Sequence, residues 1–223
     1  MTSSVWPEGH FLTLEGPEGA GKTLQAARLA DALRSVGHEV VLTREPGGTR
    51  LGERLRDLLL ERSTVAIEPL ADAFLFNAAR AELIAEVVRP ALDAGHVVIC
   101  TRFADSTLAY QGHGAGVAIG TLRALAEAAT GGIRPELTIL LDLPPEVGLR
   151  RKAPDDHTRF EATFDLDFHR RVRAGFLEIA RTEPERFAVI DAGQAIEAVF
   201  DSVLAAARRV VGEPIAPPVR MHL

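Results

Sequence analysis

The chain has 223 residues, 47% hydrophobic and 25% charged, with a net charge of −6. That composition excludes a disordered or fibrous polypeptide, and the acidic balance argues against a large nucleic-acid surface, which is usually basic. The single Cys100 excludes an intramolecular disulfide and fits a reducing compartment.

The first residues, MTSSVWPEGH, lack the basic segment and apolar core of a signal peptide. No apolar run approaches the ~20 residues needed to span a bilayer. A cytoplasmic protein without a membrane partner is expected. Phe11–Leu14 reads as a buried strand before a glycine-rich turn. From Lys22, Ala26, Leu29, Ala30 and Leu33 recur at helical spacing, with Gly37 as a C-cap. Glu39–Thr43 is a second strand, broken by Pro46-Gly47-Gly48. Leu51, Leu55, Leu58 and Leu59 open another helix, and Pro69–Val88 predicts a long one. His96–Cys100 is a third strand, Ala118–Ala129 a helix, and Leu137–Leu143 a fourth strand. Residues 145–186 read as helical, with a polar interruption, APDDHT, at 153–158. Phe187–Ile190 is a fifth strand, Ile196–Val211 a last helix, and the Pro-rich tail from about 212 to 223 reads as loose.

Strands alternate with helices throughout, without linker or repeat. This predicts an α/β fold: one domain over 1–223, with a five-stranded parallel sheet wrapped by helices. Ligands of such sheets lie beyond the carboxyl ends of the strands, so the residues after each strand are the candidates.

After the first strand stands GPEGAGKT, Gly16 to Thr23. This G-x-x-x-x-G-K-T loop turns backbone N–H groups toward phosphate, Lys22 reaches the β- and γ-phosphates, and the Thr23 hydroxyl can ligate Mg2+. The helix behind it presents its positive end to the same anion. Glu15 closes the strand; beside phosphates a carboxylate needs a metal, a sugar hydroxyl or an arginine. After the second strand, Arg44 can grip a second phosphate bidentately, whereas Arg50 and Arg54 read as a solvated helix face. Phe76 and Arg80 share a helix face at i, i+4, able to stack on and hydrogen-bond a base; taken alone, a core role fits Phe76 better, since phenylalanine on a helix is usually buried. After the third strand come Arg102, then Ser106, Thr107, Tyr110 and Gln111, with Ser106 or Thr107 as an alternative N-cap. The basic segment around 150–160 suits a lid over polyphosphate.

Together these stretches resemble bacterial thymidylate kinases, a P-loop nucleoside-monophosphate-kinase-like family. The matching segments are LEGPEGAGKT, TREPGG, LFNAAR, RFADSTLAYQG, LLDLPPEVGLRR and RFEATFDLDFHRRVRAGFLEIA, spread from about Phe11 to Val211. The resemblance implies phosphorylation of dTMP by ATP with Mg2+, in a homodimer. It implies that Gly16, Pro17, Glu18, Gly19, Ala20, Gly21, Lys22 and Thr23 hold the ATP phosphates, with Thr23 on the metal. Asp191, Ala192 and Gly193 would lie near adenine. Glu15 would contact the dTMP sugar or the metal shell. Arg44, Arg56 and Arg102, beside Pro46, would surround its phosphate. Phe76 would stack on thymine, Arg80 would bond its carbonyl edge, and Thr107, Tyr110 and Gln111 would complete the site. Pro17-Glu18 supply no loop arginine, so Arg151, with Lys152 or Arg159, would approach the γ-phosphate.

Three positions depart from the family pattern. Thr101 stands where an aspartate usually precedes the arginine, Thr158 where one precedes the lid arginine, and Leu24 where a second threonine follows the loop. Thr101 could hold a metal-bound water through its hydroxyl but brings no charge. A nucleotide kinase of shifted specificity and a binding module with weakened catalysis remain as alternatives.

Overall fold

The computed structural model describes residues 9–61, 66–151 and 158–212. Lys152, the rest of the expected lid up to residue 157, and tail residues 213–223 lie outside the described residues.

Five strands form one parallel sheet in the order β2-β3-β1-β4-β5: β1 His10–Glu15, β2 Val40–Arg44, β3 Val97–Thr101, β4 Leu137–Asp142 and β5 Phe187–Asp191. The register pairs Thr101 with both Leu14 and Arg44. Arg44 and Thr101 therefore end strands, where the sequence places them just after. The central strand β1 carries the phosphate loop at the point where connections to its two sides diverge, the ligand position of open α/β sheets.

Side chains alternate across the sheet. Leu12, Leu14, Ile99, Ile139 and Leu141 join one buried cluster with α1 (Lys22–Ser35) and α10 (Ile196–Val211). Phe11, Val98 and Cys100 face the other way, toward Leu83, Val88 and Phe103. Fully burying one such leucine or phenylalanine stabilises the fold by about 1.5–3 kcal/mol.

The second face is covered by α2 (Arg50–Leu60), α3 (Pro69–Leu83), α4 (Arg89–Asp93), α5 (Ala104–Thr107), α6 (Ile119–Thr130), α8 (Arg159–Thr163) and α9 (Leu166–Thr182), while α7 (Pro145–Arg151) sets Val147 against the first cluster. The helix expected to end at Val88 continues through a π-helical turn, Ile84–Val88, into α4. Pro90 has no N–H to return to the preceding turn, so the ladder loosens there. Within the described part of the helix expected over 145–186, the chain breaks at Phe164, and Asp165 caps α9 by accepting from Phe168 N at 2.8 Å. Gly37 follows Val36, the C-cap of α1.

The N-cap expected at Ser106 or Thr107 is not there. Phe103 occupies the N-cap of α5 without a side-chain bond, and both residues lie inside the turn. Their hydroxyls have other partners: Ser106 Oγ donates to Glu15, and Thr107 accepts from Arg80.

Candidate active site

The carboxyl rim of the sheet opens into a cavity of about 730 Å3. One end is built by the loop after β1. Gly19 there has a φ of 69°, and a Cβ on it would lie 2.1 Å from the carbonyl of Gly148 in α7. Only glycine allows this approach. Lys22 Nζ donates to the Gly16 and Pro17 carbonyls at 2.9 and 2.6 Å. Gly21 is the N-cap of α1 and gives no side-chain cap, so the first-turn N–H groups suit an anion. Glu18, Gly19, Gly21, Lys22, Thr23 and Leu24 line the cavity. Gly16, Pro17 and Ala20 form the loop beneath them and are not on its wall.

The opposite end carries arginines. Arg44 pairs with Glu53 at 3.0 Å, and Arg56 donates to the Pro46 carbonyl at 2.8 Å. Burial lowers the Arg56 pKa first, followed by the charge of Arg44 and, more weakly, of Arg102. The cluster concentrates positive charge where a dianion would relieve it.

Arg102 stands between the two ends. Its φ is 68°, the one positive value at a non-glycine residue among the described residues. Such a conformation costs on the order of 1–3 kcal/mol and persists where surroundings enforce it. It turns the guanidinium back over the loop, where Nη2 donates to Glu18 Oε1 at 3.0 Å and Nη1 to the Gly16 carbonyl at 3.3 Å. Tyr110 OH accepts from Arg102 and donates to Glu18 Oε2.

Beyond Arg102, the rings of Phe76 and Phe160 stand 6.3 Å apart, with Thr107 and Gln111 also on the wall. This end offers aromatic faces and an amide to a planar heterocycle.

Several residues expected at the ligand stand elsewhere. Glu15 is fully buried and absent from the wall. Strand alternation sends it under α5, where it accepts from Phe103 N, Ser106 N and Ser106 Oγ. Burial, then Asp105, push its pKa up to about 7. Arg80 lies behind the wall. Its guanidinium donates to Glu45, Asn77 and Thr107, four of its five N–H groups being engaged among the described residues. Arg159 is turned away from the loop, donating to Asp72 at 2.6 Å and to the Leu59 carbonyl at 3.0 Å, because α8 packs on α2. Of the two lid arginines, Arg151 lines the cavity; its Nη1 donates to Ala192 at 3.1 Å. Asp191, Ala192 and Gly193 lie beside that contact, off the cavity wall.

The structure adds residues that the sequence reading left without a role. Glu45 lines the cavity and pairs with Arg80; its place inside TREPGG, among arginines, was the available signal. Phe160 forms the second aromatic flank. For Mg2+, the described residues contain no cluster of three or more His, Cys, Asp or Glu suited to a metal. Thr23 and Thr101 line the cavity, and this sparse set fits an ion held mainly by substrate phosphates.

A parallel sheet whose glycine-rich loop and arginine cluster border a single cavity places the chain among the P-loop nucleoside monophosphate kinases. A family model described as thymidylate kinase matches residues 14–203. Thymidylate kinase of Deinococcus radiodurans is 54% identical over 185 residues, covering 83% of this chain and 89% of that protein. Thymidylate kinase of Thermomicrobium roseum is 51% identical over 203 residues, covering 90% and 95%. The crystal structure of thymidylate kinase from Ehrlichia chaffeensis superposes with a TM-score of 0.74 at 33% identity, covering 90% of this chain and 99% of that one. The chain belongs to the thymidylate kinase family.

Proposed function

We propose that this chain transfers the γ-phosphoryl group of ATP to dTMP, giving dTDP and ADP for dTTP synthesis. The observation that supports it most is the placement of Arg102 between the Lys22 loop and the Arg44–Arg56 cluster in one cavity. A phosphoryl group moving between two anions needs in-line positioning and neutralised charge more than covalent help.

In this reading the loop amides, Lys22 and Thr23 bind the ATP phosphates. Asp191, Ala192 and Gly193 lie toward adenine. Thr23, with Thr101 through water, would hold Mg2+, which when bound offsets charge on the β- and γ-phosphates. Arg44 and Arg56, beside Pro46, bind the dTMP phosphate, and Arg102 bridges both ligands. Glu18 and Tyr110 fix the Arg102 guanidinium. Glu15 acts one step removed, holding the turn that carries Arg102. Phe76 and Phe160 flank the base, Thr107 and Gln111 meet its edge, and Arg80 acts from behind the wall by holding Thr107 and Glu45. Arg151 approaches the γ-phosphate. Arg159 secures α8 rather than touching phosphate.

Homodimer formation is part of the proposal. Leu51 and Leu58 on α2, and Leu70 and Phe74 on α3, are exposed on neighbouring helices, and a second copy would cover them. No helix among the described residues is long and apolar enough to cross a membrane, and a cytoplasmic location is proposed with the nucleotide substrates.

The test is selectivity. ADP release should be much faster with dTMP than with dUMP, dGMP or AMP. Equal or greater turnover with another monophosphate would assign a kinase of different specificity.

A further inference from the structure

The base end of the cavity has a polarity that is set from outside it. Gln111 is nearly buried and lines the cavity. Its Nε2 donates to Asp72 Oδ2 at 2.9 Å. Asp72 lies in the first turn of α3, and its other oxygen accepts from Arg159 Nη2 at 2.6 Å. Neither Asp72 nor Arg159 is on the cavity wall. Burial raises the Asp72 carboxyl above its ordinary range, and the charge of Arg159 works against that, favouring the ionised form.

An ionised carboxylate only accepts hydrogen bonds, whereas a primary amide has a donating and an accepting end. Beside Asp72 the amide of Gln111 has one satisfactory orientation, with NH2 toward the carboxylate. Its oxygen makes no hydrogen bond among the described residues and is left for the cavity. The reverse orientation would set two acceptors against each other in a buried place, a costly arrangement.

We propose that Asp72 is a specificity-determining positioning residue: by fixing the Gln111 amide it presents an acceptor to the ligand and selects a pyrimidine whose N3 carries hydrogen. Thymine and uracil meet this condition. Cytosine, whose N3 is an acceptor, does not. The proposal rests on the reading of this cavity as the dTMP site. It concerns the ring edge alone.

The experiment compares the full-length wild-type protein with Asp72→Asn and Asp72→Glu, using dTMP and dCMP as acceptors and ADP release as the readout. Asparagine can donate to the Gln111 oxygen, so the amide can reverse and offer N–H to the cavity. The preference for dTMP over dCMP in kcat/KM should fall by about tenfold or more in Asp72→Asn, on the scale of one misdirected hydrogen bond, and the loss for dTMP should lie mainly in KM. Asp72→Glu keeps the acceptor and should retain most of the preference. A purely structural role for Asp72 would depress both substrates alike and leave their ratio unchanged, which would overturn the proposal. Neutron diffraction from deuterated wild-type crystals reads the amide directly and needs no variant to fold. Deuterium on the atom facing Asp72 supports the proposal; deuterium facing the cavity overturns it. Wild-type protein that turns over no dTMP would defeat the functional reading, while the diffraction result would still decide the amide orientation.

Discussion

The carboxylate of Glu45, just after β2, accepts from Arg80 on α3, at 3.0 Å from Nε and 2.7 Å from Nη2, with both side chains withdrawn from solvent. Burial raises the Glu45 pKa, and Arg80 counters it. The pair joins the segment between Arg44 and α2 to the helix that carries Phe76. Glu45 and Thr107, both held by Arg80, line the cavity.

Removing one charge from such a pair leaves the other buried and uncompensated. Glu45→Gln is expected to destabilise the fold by about 3–5 kcal/mol. Denaturant unfolding of variant and wild type measures this. A loss below about 1 kcal/mol, the range of exposed pairs, would show that Arg80 finds another partner or solvent.

Glu15 gives stability a pH dependence. Its folded pKa of about 7 exceeds the ordinary 4.5 through burial first and Asp105 second, against the pull of Ser106, Arg102 and the Phe103 N–H. The folded state therefore holds this proton where the unfolded chain has released it. The contribution is fully present below pH 4.5 and is lost as pH rises through 7, amounting to about 3 kcal/mol at most. Glu15→Gln cannot titrate. The stability difference between wild type and this variant should change over that window and be flat above it. A difference constant from pH 4 to 8 would contradict the assignment.

Gly148 tests the seating of the phosphate loop. A Cβ there would lie 2.1 Å from the Glu18 carbonyl, so the loop or α7 must move. Gly148→Ala is expected to cost about 1–3 kcal/mol of stability, the scale of overpacking, and to raise the KM for ATP. Unchanged ATP kinetics would mean that α7 yields without disturbing the loop.

Thr101 tests the proposed Mg2+ dependence. The residue reaches the cavity from the end of β3 with a hydroxyl and no charge. Thr101→Asp would supply the carboxylate that Mg2+ sites ordinarily use. Half-maximal turnover should then require less Mg2+. No shift in the Mg2+ dependence would place residue 101 outside the influence of the ion.

Much of this was legible in the sequence. Short apolar runs marked the five strands, the first three of them running into glycine or arginine, and the loop from Gly16 to Thr23 marked the expected phosphate end by composition and spacing. Orientation was less legible. Glu15 is one residue from the loop, yet the strand's alternation turns it under α5. Arg159 looked like a lid cation beside other basic residues, but the packing of α8 on α2 gives it to Asp72. Neither outcome follows from local pattern, since both depend on which helix covers the position. Asp72 itself could have been noticed. It extends the i, i+4 row of Phe76 and Arg80 by one more step of four, on the helix face already suspected.

The most direct measurement is coupled ADP release from ATP, Mg2+ and dTMP by the full-length protein and by Arg102→Ala. The wild type should turn over dTMP, and the variant should lose about 100-fold or more in kcat, the scale of a lost electrostatic stabiliser. Near-normal turnover in folded Arg102→Ala, or ATP binding without turnover in the wild type, would contradict a phosphoryl transfer centred on Arg102.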